Sequence, residues 1–429
     1  MSLADTFLAP LRKLDRRFWL TLVFACILAE GGELVFDRWI LAGEEHAEFK
    51  TSVFTALGGY QRVVTAPRQP VVRHVSIVEI DPQKDIRTIS DQNVCAEREF
   101  LAQLLLRIEA ARPALIVVDK AFGRDVCPDD PKGTLDLIKA VQDIRGRHIS
   151  VVVGRDITIV KAAADGANSQ KSVITPSLSF GSGDQSSAEG IIRIAADNRQ
   201  LPLQWPVYLD ANETGKSSLV ERDTLALAVA KLYDRHLLEK SPRLKQLIAS
   251  GEQPFIGFLE TEKFKASHFY ASHVLCGPAG PTVANWRSCA EGNSSPPDLK
   301  NRIVLIAEND PERDEHDSIV GRIPGFYLQA NYIEALLDDR YYRPGGLVLD
   351  LGFSFLFLLG LELILIVYDH QPIHAVVLVS LLALATYLVL YLVILHLGVY
   401  IDPWPIAATA ILIKLLHLFY GLVHKNRTA

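Results

Sequence analysis

Four aspartates at or just beyond the ends of apolar segments are the residues of this chain best placed to do chemistry. Asp81 closes the run Val75–Asp81 (VSIVEID) and Asp119 closes Ala114–Asp119 (ALIVVD), while Asp314 and Asp317 follow Arg302–Ala307 (RIVLIA) within a short acidic stretch. In a parallel sheet, residues that end successive strands meet at the carboxyl edge, where α/β sheets bind ligands. Carboxylates gathered there hold a cation, a substrate amine or a proton; the competing reading is that each merely caps the turn after its strand. Asp310 and His316 extend the acidic stretch into a set of oxygen and imidazole groups that would suit a metal, yet charge-rich loops are mostly solvated, and no metal or cofactor is expected. Nucleophile devices are missing. The chain has no GxSxG elbow, no P-loop and no HExxH helix, and Asn212–Lys216 (NETGK) lacks the first glycine of a phosphate-binding loop. An enzyme is not expected.

The elements that must position these aspartates alternate between strand and helix. Arg98–Ala111 places Leu101, Leu104, Leu105 and Ile108 on one helical face between the first two strands. Thr134–Gly146 reads as a second helix with Leu135, Ile138 and Val141 inward, and Ile149–Gly154 (ISVVVG) as the next strand. Such alternation predicts right-handed βαβ units and a sheet that is parallel in this part. The stretch 162–187 is rich in Gly, Ser, Asp and Asn and reads as loop, with Ile191–Ile194 a short strand and Thr224–Leu238 a helix. Long loops are expected over 239–298, and the domain closes with the Arg302–Ala307 strand and the helix Phe326–Leu337.

The last third reads as three apolar runs, Leu347–Tyr368, Ile373–Leu397 and Ile406–Val423, each of a length that spans a bilayer core. The connections between them are short enough to imply helical hairpins. Another run, from Phe18 to Phe36, follows Arg12, Lys13, Arg16 and Arg17 and lacks a cleavage pattern, so it reads as an uncleaved first span interrupted by Glu30 and Glu33. Basic residues at both ends orient four crossings with both termini inside. The expected organisation is a cytoplasmic start (1–17), one span (18–36), a periplasmic domain (37–346), three spans (347–423) and a short cytoplasmic tail (424–429), placed in a bacterial inner membrane. Glu362 and Lys414 fall inside the runs, where ionisable groups face a bundle interior or a partner helix. Cys95, Cys127, Cys276 and Cys289 lie in the exported part and allow three pairings; proximity favours Cys276 with Cys289, leaving Cys95 with Cys127. The net charge of −6 and the 22% share of charged residues argue against nucleic acid as a partner.

Several segments together resemble the second class of the bacterial CHASE sensors, the cyclase- and histidine-kinase-associated sensory extracellular domains. The matching pieces are the strand ending at Asp81, the stretch RPALIVVDKAF around Asp119, and the run from Arg302 to Pro344, in which a strand and an acidic loop lead through Pro324 and Gly325 into a helix. The resemblance implies one membrane helix, an exported α/β sensor and three closing helices. Two departures stand out: only Asp197 and Arg199 fit the family's mid-domain aspartate turn, and no cyclase, kinase or phosphatase module follows the last helix. The fold class expected is therefore an α/β domain, with a parallel or mixed sheet and flanking helices, plus four transmembrane helices. Its function would be ligand or protein sensing, passed through the helices to a separate membrane or cytoplasmic output protein, with a second copy of the chain as a further candidate partner. The alternative is a structural or assembly subunit of a membrane complex that uses the exported domain as an interaction platform.

Overall fold

The computed structural model describes residues 19, 22–24, 26–27, 31, 71–81, 94–123, 132–161, 170–175, 178, 180, 189–194, 200–209, 218–277, 297–310, 314–368 and 371–401. The chain divides into two units, one of residues Thr51–Tyr341 and one of Met1–Lys50 with Tyr342–Ala429.

The first unit is α/β. It opens with β1 (Val75–Ile80), α1 (Val94–Ala110), β2 (Leu115–Ala121), α2 (Lys132–Gly146) and β3 (Ser150–Arg155). Next come β4 (Ile157–Lys161), β5 (Gln170–Ile174), β6 (Glu189–Ile191), β7 (Gln204–Leu209) and β8 (Ser218–Asp223). Helices α3 (Leu225–Tyr233), α4 (Leu237–Lys240) and α5 (Pro242–Ser250) then lead to β9 (Phe255–Ile256), α6 (Thr261–Phe264), β10 (His268–Tyr270) and α7 (Ala271–Cys276). The unit closes with β11 (Ile303–Glu308), the hairpin β12 (Glu315–Ser318) and β13 (Gly321–Pro324), and α8 (Gly325–Leu337).

Six strands form one parallel sheet in the order β10-β1-β11-β2-β3-β6. Its middle strands are buried on both faces, which is why they read as unbroken β-branched runs. On one face Val78, Ile80, Ile116, Val118, Val151, Val153, Val304 and Ile306 pack against α1, α2 and α7 in a single core. The other face carries α3 and α8.

The parallel sheet and the βαβ connections agree with the sequence pattern, but the strand order does not follow the chain. Strand β11 lies between β1 and β2, so Asp81 and Asp119 end strands that are two positions apart and not neighbours. Helix α2 is also rotated relative to expectation. Leu135 is 62% exposed, and the buried stripe is Thr134, Leu137, Ala140, Val141 and Ile144. Alanine served as a core residue there, and a larger neighbour drew the face assignment. The stretch read as loop over 162–187 contains β5, and that over 239–298 contains α5, α6, β10 and α7. Helix α5 carries its own punctuation: Ser241 caps Leu244 N, Pro242 opens the first turn, and Gly251 ends it with φ +69°, which a side chain disfavours. A second sheet, β4-β5-β7-β8, combines antiparallel pairs with one parallel contact.

The other unit begins within β14 (Tyr341–Pro344), which leads into α9 (Leu347–Val367) and α10 (Pro372–Leu397), and Val399 of β15 (Val399–Tyr400) pairs in parallel with Arg343. Among the described residues two helices, not four, are long and apolar enough to cross a membrane: 21 residues over Leu347–Val367 and 22 over Ile373–Ile394. The third C-terminal run, Ile406–Val423, lies outside the described residues, as does most of Phe18–Phe36. What is described of the latter is helical, and Leu22 and Cys26, one turn apart, pack against Leu358 of α9. Helices α9 and α10 meet closely at Gly360, where an added methyl would lie 3.2 Å from Leu382, the small-residue contact typical of membrane helix pairs.

Candidate functional site

The carboxyl edge of the parallel sheet has a switch point. Chains leaving β1, β2 and β10 turn to the α1/α2/α7 face, whereas the chain leaving β11 passes through the β12-β13 hairpin into α8 on the opposite face. Diverging connections on either side of a strand leave a crevice at its end, the usual place for a ligand in an open α/β sheet. Because β11 is the central strand, its neighbours β1 and β2 supply the walls.

Register fixes which residues line it. Glu79, Ala307 and Asp119 stand side by side across β1, β11 and β2, and strand alternation turns Glu79 and Asp119 to the α8 face. Lys120 and Glu308 turn to the other face. There Lys120 meets Glu97 and lies 2.7 Å from Glu308; burial alone would pull its ammonium down, but the two carboxylates prevail and hold it above its ordinary value.

Asp119 has the opposite balance. The residue is half-buried at the sheet edge. Burial, reinforced by the negative charge of Asp314, pushes its carboxyl up to about 8. Asp314 is held firmly in place. Its backbone N–H donates to Asp310 O at 2.8 Å, its carbonyl accepts from Gly325 N at 2.8 Å, and its Oδ1 lies 3.1 Å from His316 Nε2. A methyl group on Gly325 would sit only 2.4 Å from Oδ1 and 2.7 Å from Oδ2, so only glycine lets this carboxylate rest on the first turn of α8. The positive end of that helix favours the negative charge there.

The other aspartates singled out by sequence are less central. Asp81 follows β1 at the same edge and is half-buried; Asp317 is half-buried in β12, opposite Arg322. The charge of Asp314 acts on Asp119.

Sequence reasoning passed over a second polar group at this edge. Buried Glu79 accepts from Asn309 Nδ2 at 2.5 Å and lies 2.7 Å from His268 Nε2, and His268 Nδ1 is 3.0 Å from the Tyr327 hydroxyl. Burial first, and then the charge of Glu79, push that phenol up to about 12, so it keeps its proton. The signal was present: a glutamate interrupts an otherwise apolar strand in VSIVEI.

At the opposite end of the sheet, ligand atoms of His74, Glu334 and Asp338 lie within 4.8 Å of one another, a spacing that a metal ion could use. Their hydrogen bonds suggest a different role. Glu334 Oε1 accepts from His74 N and Val75 N at 2.7 Å each, both its oxygens accept from Arg73 N, and His74 Nε2 is 3.2 Å from Asp338 Oδ1. Burial pushes the Asp338 carboxyl up, but the bond to His74 and the Arg340 charge leave it below its ordinary value. This group ties the entry of β1 to the end of α8.

The family described as the CHASE2 domain matches residues 34–367. The chain belongs to the CHASE2 family. No curated protein and no solved structure matches it. CHASE2 is a sensory extracellular domain family, and in this member the match takes in the α/β unit from β1 to α8 together with α9. The family's mid-domain turn, sought at Asp197 and Arg199, falls outside the described residues. Of the intramembrane polar residues, Glu362 is buried on α9 one turn after Leu358, and Lys414 lies outside the described residues. Cys276 ends α7 and is disulfide-bonded; Cys127 and Cys289 lie outside the described residues, as does the side chain of Cys95.

Proposed function

We propose that this CHASE2 protein is a non-enzymic sensory receptor of a bacterial inner membrane, with its α/β domain in the periplasm, and that the carboxyl edge around Asp119 and Asp314 is where it senses. The observation that carries this reading is the switch point at the end of β11, walled by β1 and β2, where Asp119 ends a strand with its carboxyl raised by burial and by the charge of Asp314. Occupancy at that edge acts on the β12-β13 hairpin and α8. Through α8 it biases the helices that follow, and a shift of a few kcal/mol between two arrangements is enough to signal.

Four membrane helices, the described α9 and α10 with Phe18–Phe36 and Ile406–Val423, carry the signal to a separate output protein. Glu362 and Lys414 are the polar groups through which a partner helix makes contact. Affinity purification from native membranes tests this. Glu362→Leu or Lys414→Leu is expected to reduce recovery of a co-purifying membrane protein while the protease resistance of the α/β unit is unchanged. Full recovery with both variants places the contact elsewhere. Disulfides Cys276–Cys289 and Cys95–Cys127 belong to the same reading, since an oxidising periplasm permits them. Peptide mapping without reductant is expected to show both links, and finding Cys95 and Cys127 as free thiols would rule the second out.

A further inference from the structure

We infer that Trp205 and Arg222, opposite one another on β7 and β8, form a binding site for the carboxylate of a small organic acid with an apolar body. The site lies on the second sheet and goes beyond the sensing role proposed above for the carboxyl edge of the first.

Antiparallel register places Trp205 across from Arg222 and Val207 across from Val220. Strand alternation turns these four residues to one face and Pro206, Leu219 and Glu221 to the other, where all three are exposed. The first face is the covered one. Val207 joins Ile157 and Ile191 in an apolar cluster, against which Ile174, Trp205 and Val220 also pack. Trp205 and Arg222 are each half-buried, at a place where this apolar surface meets solvent.

Two N–H groups of the pair have no acceptor. The indole Nε1 of Trp205 and the Nε of Arg222 are both buried, and neither has a hydrogen-bond partner. Buried donors nearly always have one, because a donor that gives up water without replacing it is costly. The acids on the neighbouring strands are committed elsewhere. Asp223 accepts from Gln204 Nε2 and from Lys231 Nζ at 2.7 Å each, Glu189 on β6 accepts from Arg155 at 2.8 Å, and Glu221 belongs to the opposite face.

A carboxylate supplies what the pair lacks. Its two oxygens accept from a guanidinium N–H and an indole N–H together, and its charge is met by the arginine. The isoleucine and valine surface beside the pair favours an acid that carries an aromatic or aliphatic body, and gives inorganic phosphate nothing to rest on. Both N–H groups are covered, so uptake of the acid includes a small rotation of these side chains towards solvent.

Benzoate is the probe. Saturation-transfer NMR on the full-length protein in detergent, with protein-free micelles as the blank, is expected to show benzoate bound roughly tenfold more tightly than benzamide, which has the same shape and no charge. Trp205→Phe keeps an aromatic ring and loses the N–H, whereas Arg222→Gln keeps a donor and loses the charge. Each is expected to weaken benzoate about tenfold, and Arg222→Lys, which keeps the charge without the planar fork, by less. Inorganic phosphate is expected not to displace benzoate. Absence of benzoate binding, equal binding of benzoate and benzamide, or unchanged affinity in either Trp205→Phe or Arg222→Gln overturns the inference. So does displacement by phosphate, which would make this a site for anions in general. If Arg222→Gln fails to fold, the Trp205→Phe comparison decides alone.

Discussion

Replacing Glu334 by alanine is expected to cost the α/β unit roughly 3–5 kcal/mol, a large part of the stability of any domain. Glu334 is completely buried on α8, and its carboxylate accepts the backbone N–H groups of Arg73, His74 and Val75 as the chain enters β1. Removing the carboxylate strands those donors. Val75 is fully buried, so its amide has no access to water, while Arg73 is exposed and can recover part of its loss from solvent. A buried donor left without an acceptor costs about 1–3 kcal/mol, and a bond to a charged group is worth more than one to a neutral group. His74 would also lose its fixed position beside Asp338. Glutamine keeps one acceptor oxygen at the same reach, so Glu334→Gln should cost less, on the order of 1–2 kcal/mol. Thermal melting of the full-length protein checks this. The alanine variant is expected to melt roughly 10 °C lower, with glutamine in between. Equal midpoints for wild type and alanine would mean that the latch between β1 and α8 carries no weight.

How far the sequence revealed this architecture depends on where each piece of information lies. Strands β1, β2, β3 and β11 were readable because burial on both faces leaves an unbroken β-branched run. Their order was not, because nothing local in Ile303–Glu308 records that it inserts between β1 and β2. The second sheet escaped because its strands are polar and short: QKSVI and SLVERD have neither a strict alternation nor an apolar run. Glu334 looked like an ordinary charge on an amphipathic helix, since its partners are backbone amides some 260 residues earlier, which leave no side-chain signature. The candidate site was legible in half its parts. Asp119 and Asp314 stood at segment ends as carboxylates available for chemistry, but their coupling depends on Gly325, whose role appears only when Asp314 is seen resting on it. Glu79 was hidden inside its own strand, and its partner His268 lay in a stretch read as loop.

Asp119→Asn is expected to flatten the pH dependence of stability. In the unfolded chain this carboxyl titrates near 3.8, and in the fold it holds its proton up to about 8. Between those values the folded state binds a proton that the unfolded state has released, so raising the pH draws the equilibrium towards unfolding. The stabilisation is complete below about pH 4 and is lost as pH rises towards the folded value. Each pH unit in the window costs about 1.4 kcal/mol, so the full traverse removes on the order of 5 kcal/mol. Asparagine has nearly the same shape and cannot ionise. Comparing wild type with Asp119→Asn therefore isolates this group and its coupling to Asp314, because titrating residues that do not interact with Asp119 contribute equally to both. From about pH 6 to pH 8 the wild type should lose roughly 2–3 kcal/mol relative to the variant, seen as a widening gap between their melting temperatures. Asp314→Asn should narrow that gap without closing it, since burial and not charge is the larger cause of the Asp119 shift. Parallel pH profiles for wild type and Asp119→Asn would show that the Asp119 carboxyl is ionised in the fold at neutral pH, and that α8 begins beside a negative charge and not a neutral acid.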